Sequence, residues 1–249
     1  MRLGLILAAV VPAALLLLQI YRADRLEKEP IPLLLGLLLW GVVAAELAVL
    51  AEQAGIWILD RLFDPARSSG WVFGWESLRS LAPKSSALHD LLLYFGVVAV
   101  SEEGIKYLLL QNRTWRSPAF NCSFDGVVYG AFLSLGFALW ENIHYVLIYG
   151  MATALARAVT AVPGHACFGV FMGAWYGLAK RCSMRSRPSG SRLFRFLAFL
   201  IPTLLHGVYD FCAVSDYSRP GWLFLPFVAV MFLSSFLLVR HMARNDAFL

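Results

Sequence analysis

Two adjacent carboxylates, Glu102 and Glu103, stand in the segment SEEGIKY, with Lys106 at i+4 from the first and i+3 from the second. On a helix both spacings bring Lys106 within reach of either carboxylate. One ammonium between two carboxylates leaves a surplus negative charge, which a metal ion, a shared proton or a water cluster must absorb. Further along, His165 stands in VPGHACFGVFMGAWYG, and His206 and Asp210 stand at i and i+4 in LLHGVYDF. That spacing lets Asp210 orient an imidazole or join a site directly. Glu141 and Asn142 follow one another in FALWENIHY. Carboxylates and neutral imidazoles together can bind a divalent metal or a water. A metal so held makes water nucleophilic near neutral pH, and a nearby glutamate can take the proton. Each piece also has a purely structural reading: a buried ion pair, a packing histidine, a His–Asp pair bracing one helix.

The segments that must position these residues are strongly apolar. The 249-residue chain is 59% hydrophobic and only 15% charged, whereas soluble domains are nearer 45–50% apolar and about 25% charged. Several apolar runs exceed the roughly 18 residues needed to cross a hydrocarbon core about 30 Å thick. The expected fold is an all-α, polytopic membrane bundle of seven helices, at 3–21, 31–59, 87–111, 124–149, 153–180, 193–215 and 221–240. It is read as one transmembrane domain over 1–249, with a catalytic core at 87–215. The first run follows Arg2 like a signal peptide but lacks a small-x-small cleavage site, so it reads as a retained helix.

A charged group at mid-bilayer costs several kcal/mol unless it is paired or wet, so each one in these helices calls for an explanation. At 1.5 Å rise per residue, Glu102, His165 and His206 fall near one depth, with Glu141 somewhat further out. Gly169, Gly173 and Gly177 follow His165 at steps of four, and Gly126, Gly130, Ser134 and Ala138 form a second such ridge leading to Asn142. Small-residue ridges let helix backbones approach closely, so the polar groups point at neighbouring helices. Glu141 and His144 also form a Glu-x-x-His unit, but a di-iron bundle needs two. His89 and His241, near helix ends, read as interfacial.

Alternate loops carry unequal positive charge. With the N-terminus outside, thirteen Lys and Arg residues fall on the inner side, including the 180–195 cluster, and six on the outer. The bias favours an N-out, C-in orientation. The net charge of +5 is explained by those loops, and no nucleic-acid partner is expected. The outer loop 60–86, with Trp71, Phe73, Trp75 and Leu78, reads as an interfacial segment or aromatic anchor. Cys122, Cys167, Cys182 and Cys212 form no CxxC pair; Cys167 and Cys212 read as small buried hydrophobes.

The chain has no HExxH, no GxSxG and no intramembrane Gly-Asp pair, so the usual protease motifs are absent. Four ordered blocks nevertheless resemble the PrsW family of intramembrane proteases: EEGIK (102–106), FDGVVYG through GFALWEN (124–142), PGHACFGVFMG (163–173) and HGVYDF (206–211). The likeness covers roughly 90–215 and extends to the type II CAAX prenyl proteases, with their paired glutamates and late His-x-x-x-Asn/Asp. It implies that Glu102 and Glu103 activate water, and that His165 and His206 are metal ligands or partners, with Glu103 as a third ligand. Asp210 and Glu141 would support them, beside Lys106 and Asn142. It implies a divalent metal, zinc in the first instance, or a glutamate-only mechanism. It also implies single-pass, membrane-anchored protein substrates, anti-sigma factors among them. Two other readings stand beside it. One is a non-catalytic scaffold like the anterior-pharynx-defective subunit of gamma-secretase. The other is a proton- or ion-coupled transporter, against which the lack of paired interrupted helices counts. One shared site requires the Glu103 carboxylate and both imidazoles to converge within about 5 Å, because zinc–ligand bonds are near 2.0–2.2 Å.

Overall fold

In the computed structural model, which describes residues 2–63, 87–214 and 223–249, the apolar runs fold as helices and no strand occurs among the described residues. The helices are α1 (Arg2–Ala23), α2 (Ile31–Phe63), α3 (Ala87–Leu91), α4 (Val100–Thr114), α5 (Asp125–Tyr149), α6 (Met151–Val159), α7 (Ala161–Met184), α8 (Pro188–Val214) and α9 (Phe224–Arg244). A π-helical segment, Leu92–Ala99, joins α3 to α4 in one unbroken rod. By length and composition α2, α5, α6 with α7, α8 and α9 can each cross a membrane. The α3–α4 rod is less apolar because it carries Glu102, Glu103 and Lys106. A belt of exposed apolar side chains, including Leu35, Leu39, Leu50 and Ile58 on α2 and Leu225, Val230, Leu233 and Phe236 on α9, faces outward. So large an apolar surface needs lipid against it. The chain is an all-α, multi-pass membrane protein.

Three boundaries depart from the sequence reading. The fifth expected helix is two, because Pro163 has no N–H to give Val159 and breaks the ladder there; Thr160 lies between α6 and α7 with φ −120° and ψ −68°. The third contains the π-helical segment. Of the outer loop read over 60–86, residues 60–63 continue α2, and the rest, with its aromatic residues, lies outside the described residues. Cys167 is buried as expected, but Cys212 is only partly so.

Helix α5 is the axis of the bundle, buried without interruption from Asp125 to Ala138. The two small-residue ridges meet each other. A Cβ on Gly130 would press on the Gly169 carbonyl and lie 3.0 Å from the Gly173 nitrogen; one on Gly173 would lie 2.6 Å from Val127 Cα. On the other side of α5, a Cβ on Gly41 of α2 would lie 2.6 Å from the Phe137 nitrogen. The absence of side chains therefore sets α5 against α2 and α7 at backbone contact, the geometry such ridges produce in membranes.

The basic end of the bundle is tied by polar contacts around the start of α5. Asp125 Oδ2 accepts the N–H groups of Asn121 (2.9 Å) and Cys122 (2.6 Å), and Asp246 Oδ1 accepts that of Phe124 at 3.0 Å. These amides belong to the turn that leads into α5, and the carboxylates give them the partners that buried backbone groups need. Tyr129 donates to Glu29 Oε2 at 2.5 Å, and Lys180 Nζ donates to the Trp115 carbonyl at 2.8 Å. The loop before α2, the turn before α5 and the tail after α9 are thereby locked together.

Candidate active site

Four helices bring the ionisable residues into one layer. Helix α4 carries Glu102, Glu103 and Lys106, all buried. Lys106 Nζ donates to Glu102 Oε2 at 3.1 Å, to Glu103 Oε1 at 2.8 Å and to His165 Nδ1 at 3.2 Å. The same ammonium lies 3.7 Å from the centre of the Phe137 ring, a cation–π contact supplied by α5. The pairing foreseen from i+3 and i+4 spacing is thus made to both carboxylates, and α7 adds a third acceptor.

The two histidines meet edge to face. Their ring centroids are 5.2 Å apart at 89°, and Phe168 stacks on His206 at 4.6 Å. His206 Nδ1 donates to Glu103 Oε1 at 2.9 Å, while its Nε2 faces Asp210 Oδ2 at 3.2 Å. The i, i+4 pair on α8 thus orients the ring. A Cβ on Gly207 would overlap the Phe95 ring, 2.7 Å from its Cγ. The bare glycine lets the π-helical segment close over His206, and π-helical turns recur at functional sites.

Glu141, placed somewhat further out by the rise per residue, is bonded directly to the cluster. Its Oε2 accepts from His165 Nε2 at 2.9 Å and from Arg157 Nη2 at 2.7 Å, and Arg157 Nε donates to Asn142 Oδ1 at 3.1 Å. Arg157 belongs to α6 and was not singled out from the sequence. An arginine inside an apolar run was the available signal, since such residues pair or serve function. The reversal between the two helices is made at Gly150, at φ +86°, and it sets α6 back alongside α5.

Glu52 of α2 was also missed. It is 4% exposed, within electrostatic reach of Glu102, Glu141, His206 and Asp210, and makes no hydrogen bond or ion pair among the described residues. Every other carboxylate of the layer has a cationic or imidazole partner. His89, read as interfacial, is buried near the start of its rod, with Asp60 and Asp90 oxygens each 3.4 Å from its ring nitrogens. His144 Nδ1 donates to the Trp140 carbonyl of its own helix at 2.9 Å, and the residue stays outside the cluster. His241 is exposed at the end of α9, as expected.

Glu102, Glu103, His165 and His206 each offer a ligand atom, and these atoms all lie within 4.8 Å of one another. Two carboxylates and two imidazoles are a donor set that suits a divalent metal. Glu103 Oε2 is buried without a hydrogen-bond partner, an acceptor left over for an incoming cation or water. The centre already holds one positive charge in Lys106 Nζ, whose acceptors a metal would have to share or take over. The convergence required for one shared site is met.

Comparison with known proteins agrees with this geometry. Residues 29–239 match the family described as PrsW family intramembrane metalloprotease. Protease PrsW of Geobacillus kaustophilus is 34% identical over 207 residues, 83% of this chain and 78% of that protein. Protease PrsW of Oceanobacillus iheyensis is 29% identical over 243 residues, 98% of each chain, and that of Bacillus subtilis 28% identical over 230 residues, 92% of this chain and 90% of the other. No solved structure matches the chain. A buried Glu-Glu, His, His-x-x-x-Asp cluster inside a membrane bundle and a family match over most of its length lead to one conclusion: the chain belongs to the PrsW family of intramembrane metalloproteases.

Proposed function

We propose that this protease cuts single-pass, membrane-anchored proteins, such as anti-sigma factors, within the bacterial cytoplasmic membrane. In this reading its seven rods cross N-out and C-in, and 87–215 form the catalytic core. Glu103 and Glu102 are the water-activating pair, and His165, His206 and Glu103 are the ligands of a zinc ion. Bound there, zinc lowers the pKa of water and polarises the scissile carbonyl. The chain's own groups do the rest. Glu103 takes a proton from the attacking water. Asp210 and Glu103 grip the His206 ring and fix its orientation, and the proton taken from the water passes on to the leaving amine. His165 is held in one tautomer by Glu141, which Arg157 in turn holds. Lys106 offsets the carboxylate charge and can donate to a developing oxyanion. The observation that carries this reading is the Glu103 carboxylate, with one oxygen shared by Lys106 and His206 and the other buried and free.

The test uses purified protein and a candidate single-pass substrate. Wild type cuts it, and Glu103→Gln or His206→Ala lowers the rate by at least the roughly 10²–10⁴-fold ascribed to general acid–base catalysis. Full activity in both variants would sink the assignment of these residues. Metal analysis of wild type against a His165→Ala, His206→Ala double variant decides the zinc question. Equal metal content in both leaves glutamate-only water activation as the mechanism.

A further inference from the structure

The basic run at the start of α8, which topology alone would explain, also edges a groove. Two adjoining hollows of about 590 Å³ each lie between the end of α4 and the start of α8, sharing Leu108, Gln111 and Arg195. Arg116, Arg192 and Arg195 stand around the mouth. None of the three has a carboxylate partner among the described residues. Arg195 leans over the Trp115 ring at 5.0 Å and lines the hollow beside Tyr107, which fixes it without neutralising it. Below the mouth the lining turns apolar, through Leu108, Phe196 and Phe199, and ends at Gly104, next to Glu103. From Asn112 to Gly104 the groove descends about 12 Å at 1.5 Å per residue. Charge at the mouth and an apolar floor running down the helix pair match a lipid, with its phosphate outermost and its chain beneath.

We infer that this groove binds one anionic phospholipid, its phosphate held by Arg116, Arg192 and Arg195 and one acyl chain laid along Leu108, Phe196 and Phe199. A free phosphate would find the arginines but leave the apolar floor uncovered. A zwitterionic lipid would fill the floor but bring its own cation to the mouth. Basic pockets between transmembrane helices take acidic headgroups for this reason. The site is distinct from the metal cluster yet reaches the residue beside Glu103, so the chain end borders the layer where peptide is cut.

Full-length protein in nanodiscs of phosphatidylcholine with a minor share of phosphatidylglycerol tests this, by extraction and native mass spectrometry of retained lipid. Wild type retains one phosphatidylglycerol in preference to phosphatidylcholine. The Arg192→Gln, Arg195→Gln double variant loses that preference roughly 25-fold, at about fivefold per arginine. Because Arg195 also packs on Trp115, the exposed pair Arg116→Gln, Arg192→Gln is run beside it and shows a comparable loss. Leu108→Trp, which fills the floor with the arginines intact, also abolishes retention. Equal retention of both lipids by wild type overturns the inference, as does retention unchanged in the variants. A photo-crosslinker at position 108 that labels an added substrate helix rather than lipid assigns the groove to substrate, and overturns it too.

Discussion

Lys106 Nζ lies 3.2 Å from His165 Nδ1, and since an ammonium only donates, Nδ1 is the lone-pair side of that ring. The ring's proton is then on Nε2, directed at Glu141 2.9 Å away. The imidazole lone pair available to a metal is therefore the one Lys106 holds, and the ammonium shares Glu102 and Glu103 as well. Lys106 and a divalent ion are competitors for one set of acceptors.

Competition of this kind has a measurable consequence. Lys106→Met removes the internal cation and leaves two buried carboxylates uncompensated, a defect worth about 3–5 kcal/mol. In chelator the variant is expected to melt roughly 10 °C below wild type. Added zinc or manganese restores most of that loss and shifts wild type less. A variant whose melting temperature ignores metal would show that Lys106 does not guard a metal site.

The contact between α5 and α7 sets the distance from Glu141 to His165. A Cβ on Gly173 would lie 2.6 Å from Val127 Cα, whereas one on Gly36 would meet nothing within 4 Å. Gly173→Val is expected to cost about 1–3 kcal/mol or more through overpacking. It should also slow cleavage by around 10²-fold, because misplacing reacting groups by an ångström has that effect. Gly36→Ala should leave both unchanged or slightly improve stability, by about 1 kcal/mol of helix propensity. Thermal melts and a substrate-cleavage rate for the two variants check the pair.

Glu52 invites the opposite outcome. A buried carboxylate without a partner weakens the fold, so its neutral isostere has nothing to lose. Glu52→Gln is expected to match or exceed wild-type stability, by up to about 1–3 kcal/mol. Glu103→Gln strips an acceptor from Lys106 and His206 and should lose stability. Melting both in the same micelles tells them apart, and a loss in Glu52→Gln equal to that in Glu103→Gln would contradict the assignment.

At the basic end, burial pushes the Asp24 carboxyl up to about 6, against the pull of Lys28, and that of Glu29 up to about 7, against the Tyr129 hydrogen bond. Groups that hold protons more tightly folded than unfolded make the folded state the better proton binder. Stability therefore falls as pH rises from about 4 toward about 7. Thermal unfolding followed between about pH 4 and pH 7 should show that decline, and Asp24→Asn with Glu29→Gln should reduce it. A decline of the same size in the double variant would place its origin elsewhere.

Much of this protein was readable along the chain. Apolar runs longer than a bilayer is thick force helices, because backbone groups in lipid can be satisfied only within a helix or a closed barrel. Charges inside such runs are expensive enough that Glu102, Glu103, Lys106, His165, His206 and Asp210 stand out by position alone. Local spacing gave the contacts that lie on one helix, Glu102–Lys106 and His206–Asp210. Steps of four gave the two glycine ridges, but not that they are each other's partners.

Tertiary structure decided what depends on the meeting of separate helices. Which acceptors share Lys106, which tautomer His165 adopts and how His206 is gripped are set by rods converging from distant parts of the sequence. Arg157 reaches Glu141 because the chain reverses at Gly150 and α6 returns against α5. Glu52 faces the cluster only because Gly41 lets α2 close on α5. Sequence fixes the period of a helix and the cost of each group in lipid; it does not fix the rotation of one rod against the next. That rotation is chosen by packing, and it turned a set of buried polar residues, with Glu102 and Glu103 at its head, into one site.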